Sequence, residues 1–152
     1  MAEHLATISW HRGGELFTDN KYSRAHTWRF DGGATVAASA SPHIVRAPYS
    51  VASAVDPEEA FVASLSSCHM LFFLSIAAKA GYVVDSYEDE ARGTLAKDAG
   101  GCLVMTQVVL RPRIAFVGRQ PSAGELDQLH HQAHDQCFLA NSVKTLVTME
   151  AR

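Results

Sequence analysis

Between Asp56 and Gly81 the sequence writes one long apolar helix, and the other segments must be arranged around it. Asp56 is a good N-cap, Pro57 suits the first helical position, and Glu58 and Glu59 complement the dipole of the first turn. Gly81 stands where helices stop, two residues after Lys79. Between those ends apolar side chains fall on nearly every side, which predicts burial rather than a surface position. At roughly 1.5 Å per residue, residues 60–78 would also span a bilayer core. Ser64, Ser66, Ser67, His69 and Ser75 are scattered through the segment, however, and no second such segment exists. A buried core helix is the reading adopted, with no membrane partner.

The helix carries Cys68 at its middle, with Ser66 and Ser67 before it and His69 after. Free cysteine is a common core filler, so an inert thiol competes with a reactive one. Two further cysteines, Cys102 and Cys137, make an odd count of 3, which does not suit a secreted disulfide framework. No basic region followed by an apolar one opens the chain, so no export signal is expected and the expected compartment is the cytoplasm. A formal charge of −3 and the lack of a Lys/Arg run argue against nucleic acid as a partner.

The rest of the pattern places these residues. Residues 6–10 and 22–30 alternate as strands, Asp31, Gly32 and Gly33 supply a hairpin turn, and residues 34–38 return antiparallel. Residues 39–55 form a Ser/Ala/Pro-rich loop, and a loop of that length directly before the main helix suggests a functional segment. Residues 83–96 and 102–116 read as a long hairpin in which Pro112 demands a bulge or an edge. Ser122 and Glu125 have capping-box spacing ahead of an amphipathic helix over residues 123–136, and residues 141–149 read as a last strand. The fold class expected is α+β, as a single domain over residues 1–152, with antiparallel sheet around the long central helix.

Three constellations carry possible chemistry. Cys68 and Cys137, if they meet, suit a thiolate that attacks an O–O bond and a second thiol that condenses with the sulfenic acid formed. Such a thiolate needs a cation beside it, which draws attention to Arg24, Arg29 and Arg46. His130, His131, His134 and Cys137 lie on or just beyond the helix over residues 123–136, with i, i+4 and i, i+3 spacing among them. A His/Cys metal site therefore competes for Cys137, although a solvated polar face with clustered histidines is the ordinary reading. Glu58 and Glu59 are ordinary dipole complements unless something nearby requires them. Cys102, in the hairpin strand, is read as structural.

The run from Asp56 and Pro57 through Glu58 to Cys68, together with Cys137 and the link Asn141, Ser142 and Val143 to the last strand, resembles the OsmC/Ohr family. These are the osmotically inducible and organic-hydroperoxide-resistance proteins, and the order of elements matches along nearly the whole chain. The resemblance implies a peroxidase acting on organic hydroperoxides in oxidative-stress defence, with no metal or organic cofactor and a dithiol reductant of lipoyl type. It implies Cys68 as the peroxidatic thiol, Cys137 as the resolving thiol, and Glu58 as the carboxylate holding an arginine. That arginine is Arg24 if it comes from an early strand and Arg46 if it comes from the loop; Arg24 is favoured. The competing reading is a non-catalytic OsmC-like stress-associated binding dimer.

Helix geometry adds a further expectation. Glu58 and Cys68 are ten positions apart, so about 15 Å along one axis. They cannot share a site on one straight helix, so either the first turn bends away or the glutamate of one copy serves the thiol of the other; an intertwined homodimer is the expectation. Phe61, Met70, Phe72 and Phe73 are core residues first, with part of the set able to line a pocket for an alkyl peroxide. His69 reads as a satisfied core histidine.

Overall fold

The structure is a computed structural model and describes residues 1–150. The architecture is α+β, and the chain divides into two compact units, residues 1–60 and residues 61–152. The first unit holds strands β1 (Ala6–Ser9), β2 (His26–Phe30) and β3 (Thr35–Ala38), paired antiparallel in that order. The hairpin joining β2 to β3 closes through Phe30, which donates to Ala34 and accepts from Gly33, a residue with φ of 89° that glycine tolerates. The serine- and proline-rich loop that follows is tied back to the sheet. Ser39 donates its N–H to Val55, Val55 donates to Ala37, and the buried Ser39 hydroxyl accepts from Val51.

Helix α1 (Pro57–Lys79) starts as its first turn requires. The Asp56 carboxylate accepts from the Glu59 N–H at 2.8 Å, and Glu59 accepts from the Asp56 N–H at 3.2 Å, a reciprocal capping box. Glu59 is engaged in that cap, whereas Glu58, the other first-turn carboxylate, takes no part in it.

In the second unit α1 is followed by β4 (Val83–Asp89), β5 (Arg92–Lys97), β6 (Leu103–Leu110), β7 (Pro112–Val117), α2 (Ala123–Gln136), a 3-10 turn (Ala140–Ser142) and β8 (Leu146–Met149). Strands β4 and β7 pair antiparallel as one sheet; β5, β6 and β8 form another, with β8 parallel to β6. The expected two-strand hairpin is therefore broken on both arms at one level. Pro112 has no N–H to give to a continuing ladder. Asp89, its partner in register, instead accepts the Arg111 N–H at 2.6 Å and the Ser66 hydroxyl at 2.5 Å. The break is thus pinned to α1 by a side chain.

Within this unit α1 buries a stripe of Leu65, His69, Phe73, Ile76 and Ala77. Phe73, Ile76 and Ala77 pack with Tyr82, Leu129 and Ala133, whereas Leu65 packs with Val108 and Leu110 on β6. The opposite face, with Ala63, Ser67, Leu71, Ser75 and Ala78, is open, and Leu71 is 62% exposed. By length and composition α1 alone would pass for a membrane span, but its buried stripe is the core of this unit.

Gly93 makes the packing of β5 on α1 possible. A Cβ there would lie 2.5 Å from Val62 Cγ2 and 2.8 Å from Met105 Sδ. The branched valine on a helix has few rotamers with which to yield. Gly93→Ala is expected to destabilise the fold by about 1–3 kcal/mol, the range for overpacking a filled site. Urea denaturation checks this; a midpoint equal to that of the wild type would contradict the close approach.

Candidate active site

Cys68 comes from the middle of α1 and Cys137 from the end of α2, and the fold brings the two sulfurs to 2.9 Å. Both are free thiols. A disulfide bond is about 2.05 Å long, so the pair is in sulfur–sulfur contact without being bonded. Neither cysteine could have been placed beside the other from the 69 positions that separate them in the chain.

Cys137 is held tightly. It is the C-cap of α2, its N–H donates to the His134 carbonyl, and its own carbonyl accepts from Asn141. The Ala140 N–H donates to its sulfur at 3.4 Å. The residue is 1% exposed, and burial pushes its thiol up from the ordinary value, reinforced by the S–H that it donates to Cys68. Cys137 is buried and donates to Cys68, which is half-buried, so the two sulfurs differ in exposure. Phe72 and Phe138 meet edge to face at 5.0 Å, one from α1 and one from the residue after Cys137, and Phe138 is 72% exposed. Of the other aromatic candidates, Phe73 is wholly buried in the core and Phe61 packs in the cluster around Leu65. Cys102 lies in the hairpin loop before β6, exposed, and not in the strand the pattern suggested.

The charged candidates lie in the first unit. Arg24 stands two residues ahead of β2 rather than inside a strand, because the turn around Asn20 continues that far. Its guanidinium donates to the carbonyls of Asn20 and Tyr22 and to the Asn20 side chain at 2.6 Å, and lies 3.8 Å from the Tyr22 ring centroid. Among the described residues it makes no ion pair with Glu58. Glu58 has one carboxylate oxygen buried with no hydrogen-bond partner. A buried carboxylate oxygen without a donor costs more than a satisfied one, and among the described residues none donates to it. Arg46 is exposed in the loop.

The histidines of α2 do not assemble a metal centre: among the described residues, no group of three His, Cys, Asp or Glu is placed to hold an ion. His131 is exposed beside Asp135 at 3.6 Å. His130 turns inward and shares a hydrogen bond of 3.1 Å with His69, a contact that sequence spacing did not suggest. His69 is not fully satisfied, since its Nδ1 is buried without a partner. His130 and His134 also line a cleft of about 460 Å³ between α2 and the ends of β7 and β8.

The model of the OsmC-like protein family matches residues 50–152. Across solved structures, an OsmC-like protein of unknown function from Vibrio cholerae is 57% identical, with all of both chains covered and a TM-score of 0.98. An organic hydroperoxide resistance protein from Bacillus subtilis is 18% identical, with 99% of this chain and 98% of that chain covered and a TM-score of 0.72. One from Elizabethkingia anophelis is 16% identical, with 100% and 98% covered and a TM-score of 0.71. At those identities the likeness is one of fold. No curated protein matches the sequence.

Proposed function

The chain belongs to the OsmC-like protein family, and from that premise we propose that it is a thiol-dependent peroxidase that reduces organic hydroperoxides. The observation that carries this reading is the 2.9 Å approach of Cys68 and Cys137. Chemistry follows from their asymmetry. The Cys68 thiolate attacks the distal oxygen of ROOH; the O–O bond breaks, and the alkoxide takes a proton to leave as ROH. Cys68 is then a sulfenic acid. The Cys137 sulfur attacks it, expelling hydroxide that takes the Cys137 proton, and a disulfide and water result. An external dithiol, of the lipoyl type by family resemblance, reduces the disulfide by exchange and is itself oxidised. No metal or organic cofactor enters this sequence.

Glu58 and Arg24 complete the proposed site, the arginine fixing the charge of the thiolate and the carboxylate fixing the arginine. This requires the Arg24 guanidinium to leave the Asn20 and Tyr22 carbonyls that it meets in the single chain. Glu58 cannot serve the Cys68 of its own helix, which is about 15 Å farther along the axis. The reading therefore includes an intertwined homodimer, in which the first-turn carboxylate of one copy reaches the thiol of the other. Two observations support it. Among the described residues, none donates to the buried Glu58 oxygen. Large apolar side chains stand open on both units, among them Ile8 and Ile44 in the first and Leu71, Val117 and Leu146 in the second. Sedimentation is expected to show a dimer, and Leu71→Arg, which puts a charge on the open face of α1, to weaken it by tenfold or more. A folded wild-type monomer at micromolar concentration would overturn the dimeric site.

The function itself is tested by mass spectrometry of the protein after one equivalent of cumene hydroperoxide. A Cys68–Cys137 disulfide is expected. Its absence, with both thiols still free, would favour a non-catalytic binding dimer.

A further inference from the structure

Beyond the residues assigned to the peroxidase, the second unit holds a histidine pair, His69 buried and His130 half-buried, that the proposed chemistry does not use. His69 follows Cys68 on α1, and His130 precedes Cys137 on α2 by two helical turns, about 10 Å. His69 Nε2 and His130 Nδ1 are 3.1 Å apart, with ring centroids at 5.4 Å and planes at 14°. Phe73 stacks on His130 at 4.4 Å. His69 is 1% exposed, and its Nδ1 has no partner.

We propose that His69 and His130 are positioning residues: their hydrogen bond ties α1 to α2 and thereby sets the separation of Cys68 and Cys137. The proposal rests on the peroxidase reading only in using the same two thiols. A leucine at position 69 would fill a core site without burying an unpartnered nitrogen, so the histidine is a poor choice if filling is its purpose. What an imidazole adds is direction. Apolar packing sets how closely the helices approach but carries no donor or acceptor direction of its own, whereas a hydrogen bond weakens steeply with distance and angle. Both cysteines are mounted to follow the helices that carry them. Cys68 is in mid-helix, and Cys137 is locked to the last turn of α2 through the His134 carbonyl.

Charge does not disturb the tie near neutral pH. Burial lowers the pKa of each imidazole to about 4, so both are neutral and one donates to the other. The groups facing the pair are His134 and Asp127 from α2 and Asp89 from β4. His134 disfavours the charged form of His69, while the two aspartates favour that of His130 without outweighing its burial.

The readout is the equilibrium Cys68–SH + Cys137–SH + GSSG ⇌ Cys68–S–S–Cys137 + 2 GSH, measured by mass spectrometry over a series of glutathione ratios. His130→Phe keeps the stacking on Phe73 and removes the nitrogen. It is expected to lower the equilibrium constant about tenfold, which for two electrons raises the reduction potential by about 30 mV. His130→Asn places an amide where Nδ1 stood and is expected to stay within about threefold of wild type. Circular dichroism establishes that each variant is folded, and if phenylalanine overfills the site His130→Ala is read in the same way. The proposal is overturned if the folded Phe or Ala variant matches the wild type, or if Asn falls as far as they do. A wild type that forms the disulfide with glutathione but does not turn over peroxide overturns the peroxidase alone. One that forms no disulfide with glutathione overturns the positioning role as well.

Discussion

Cys68→Ser is expected to abolish turnover of cumene or t-butyl hydroperoxide with a dithiol reductant, by at least about a thousandfold, or roughly 4 kcal/mol of activation free energy. A serine hydroxyl is almost wholly un-ionised at neutral pH, whereas a thiol already supplies some intrinsically strong nucleophile. The oxygen also cannot be carried to a sulfenic acid and on to a disulfide, so both halves of the cycle fail. Cys137→Ser separates them. Cys68 is the less buried of the two sulfurs and the attacking one in the proposed cycle, so it should still react once. The variant should consume about one equivalent of peroxide and then stop, leaving a sulfenic acid that dimedone labels. Steady turnover by Cys68→Ser would show that the chemistry resides elsewhere. Steady turnover by Cys137→Ser would remove that residue from resolution.

The largest effect on stability is expected from acid. His69 and His130 have pKa values near 4 in the folded chain, against an ordinary histidine value near 6.5 in the unfolded one. The unfolded chain therefore binds protons first as the pH falls. Stability from these groups is complete above about pH 6.5 and is lost progressively down to about pH 4. The slope is at most about 1.4 kcal/mol per pH unit for each imidazole, and less for His130, which is only half-buried. Urea midpoints at pH 7.5 and pH 5 should differ by a corresponding amount, and His69→Leu should flatten the dependence. A wild-type midpoint that does not change between those pH values would mean that the pair is not buried in the neutral form.

Much of the local structure was legible before any coordinates. The Ser122 and Glu125 spacing predicted a capping box, and both halves of it form, ahead of a helix with the expected limits of residues 123–136. Capping is a matter of backbone donors three residues apart, and so is written locally. The same holds for the start of α1 at Asp56 and Pro57. The strand assignments were less complete. Residues 83–96 alternate without a visible break, yet β4 and β5 separate at Asp89, because Asp89 takes the Ser66 hydroxyl and the Arg111 N–H. Those donors lie 23 and 22 positions away, beyond the reach of any local pattern. Arg24 moved from strand to turn for a related reason: its guanidinium is spent on the carbonyls and side chain of the preceding turn.

For the site, the sequence alone supplied the two candidate thiols, the helix that carries Cys68, its start at Asp56 and Pro57, and the family to which the motifs point. These follow from residue types at short spacing, where helix geometry leaves little freedom. Only the tertiary structure decided that Cys68 and Cys137 touch, which of them is buried, and that His69 bonds to His130 instead of resting satisfied in the core. Each of these is a contact between α1 and α2, helices that 43 residues of strand and loop separate between Lys79 and Ala123. Local propensities fix each helix, but packing of side chains distant in sequence fixes how one helix meets the other, and the distance between two sulfurs is a property of that meeting alone.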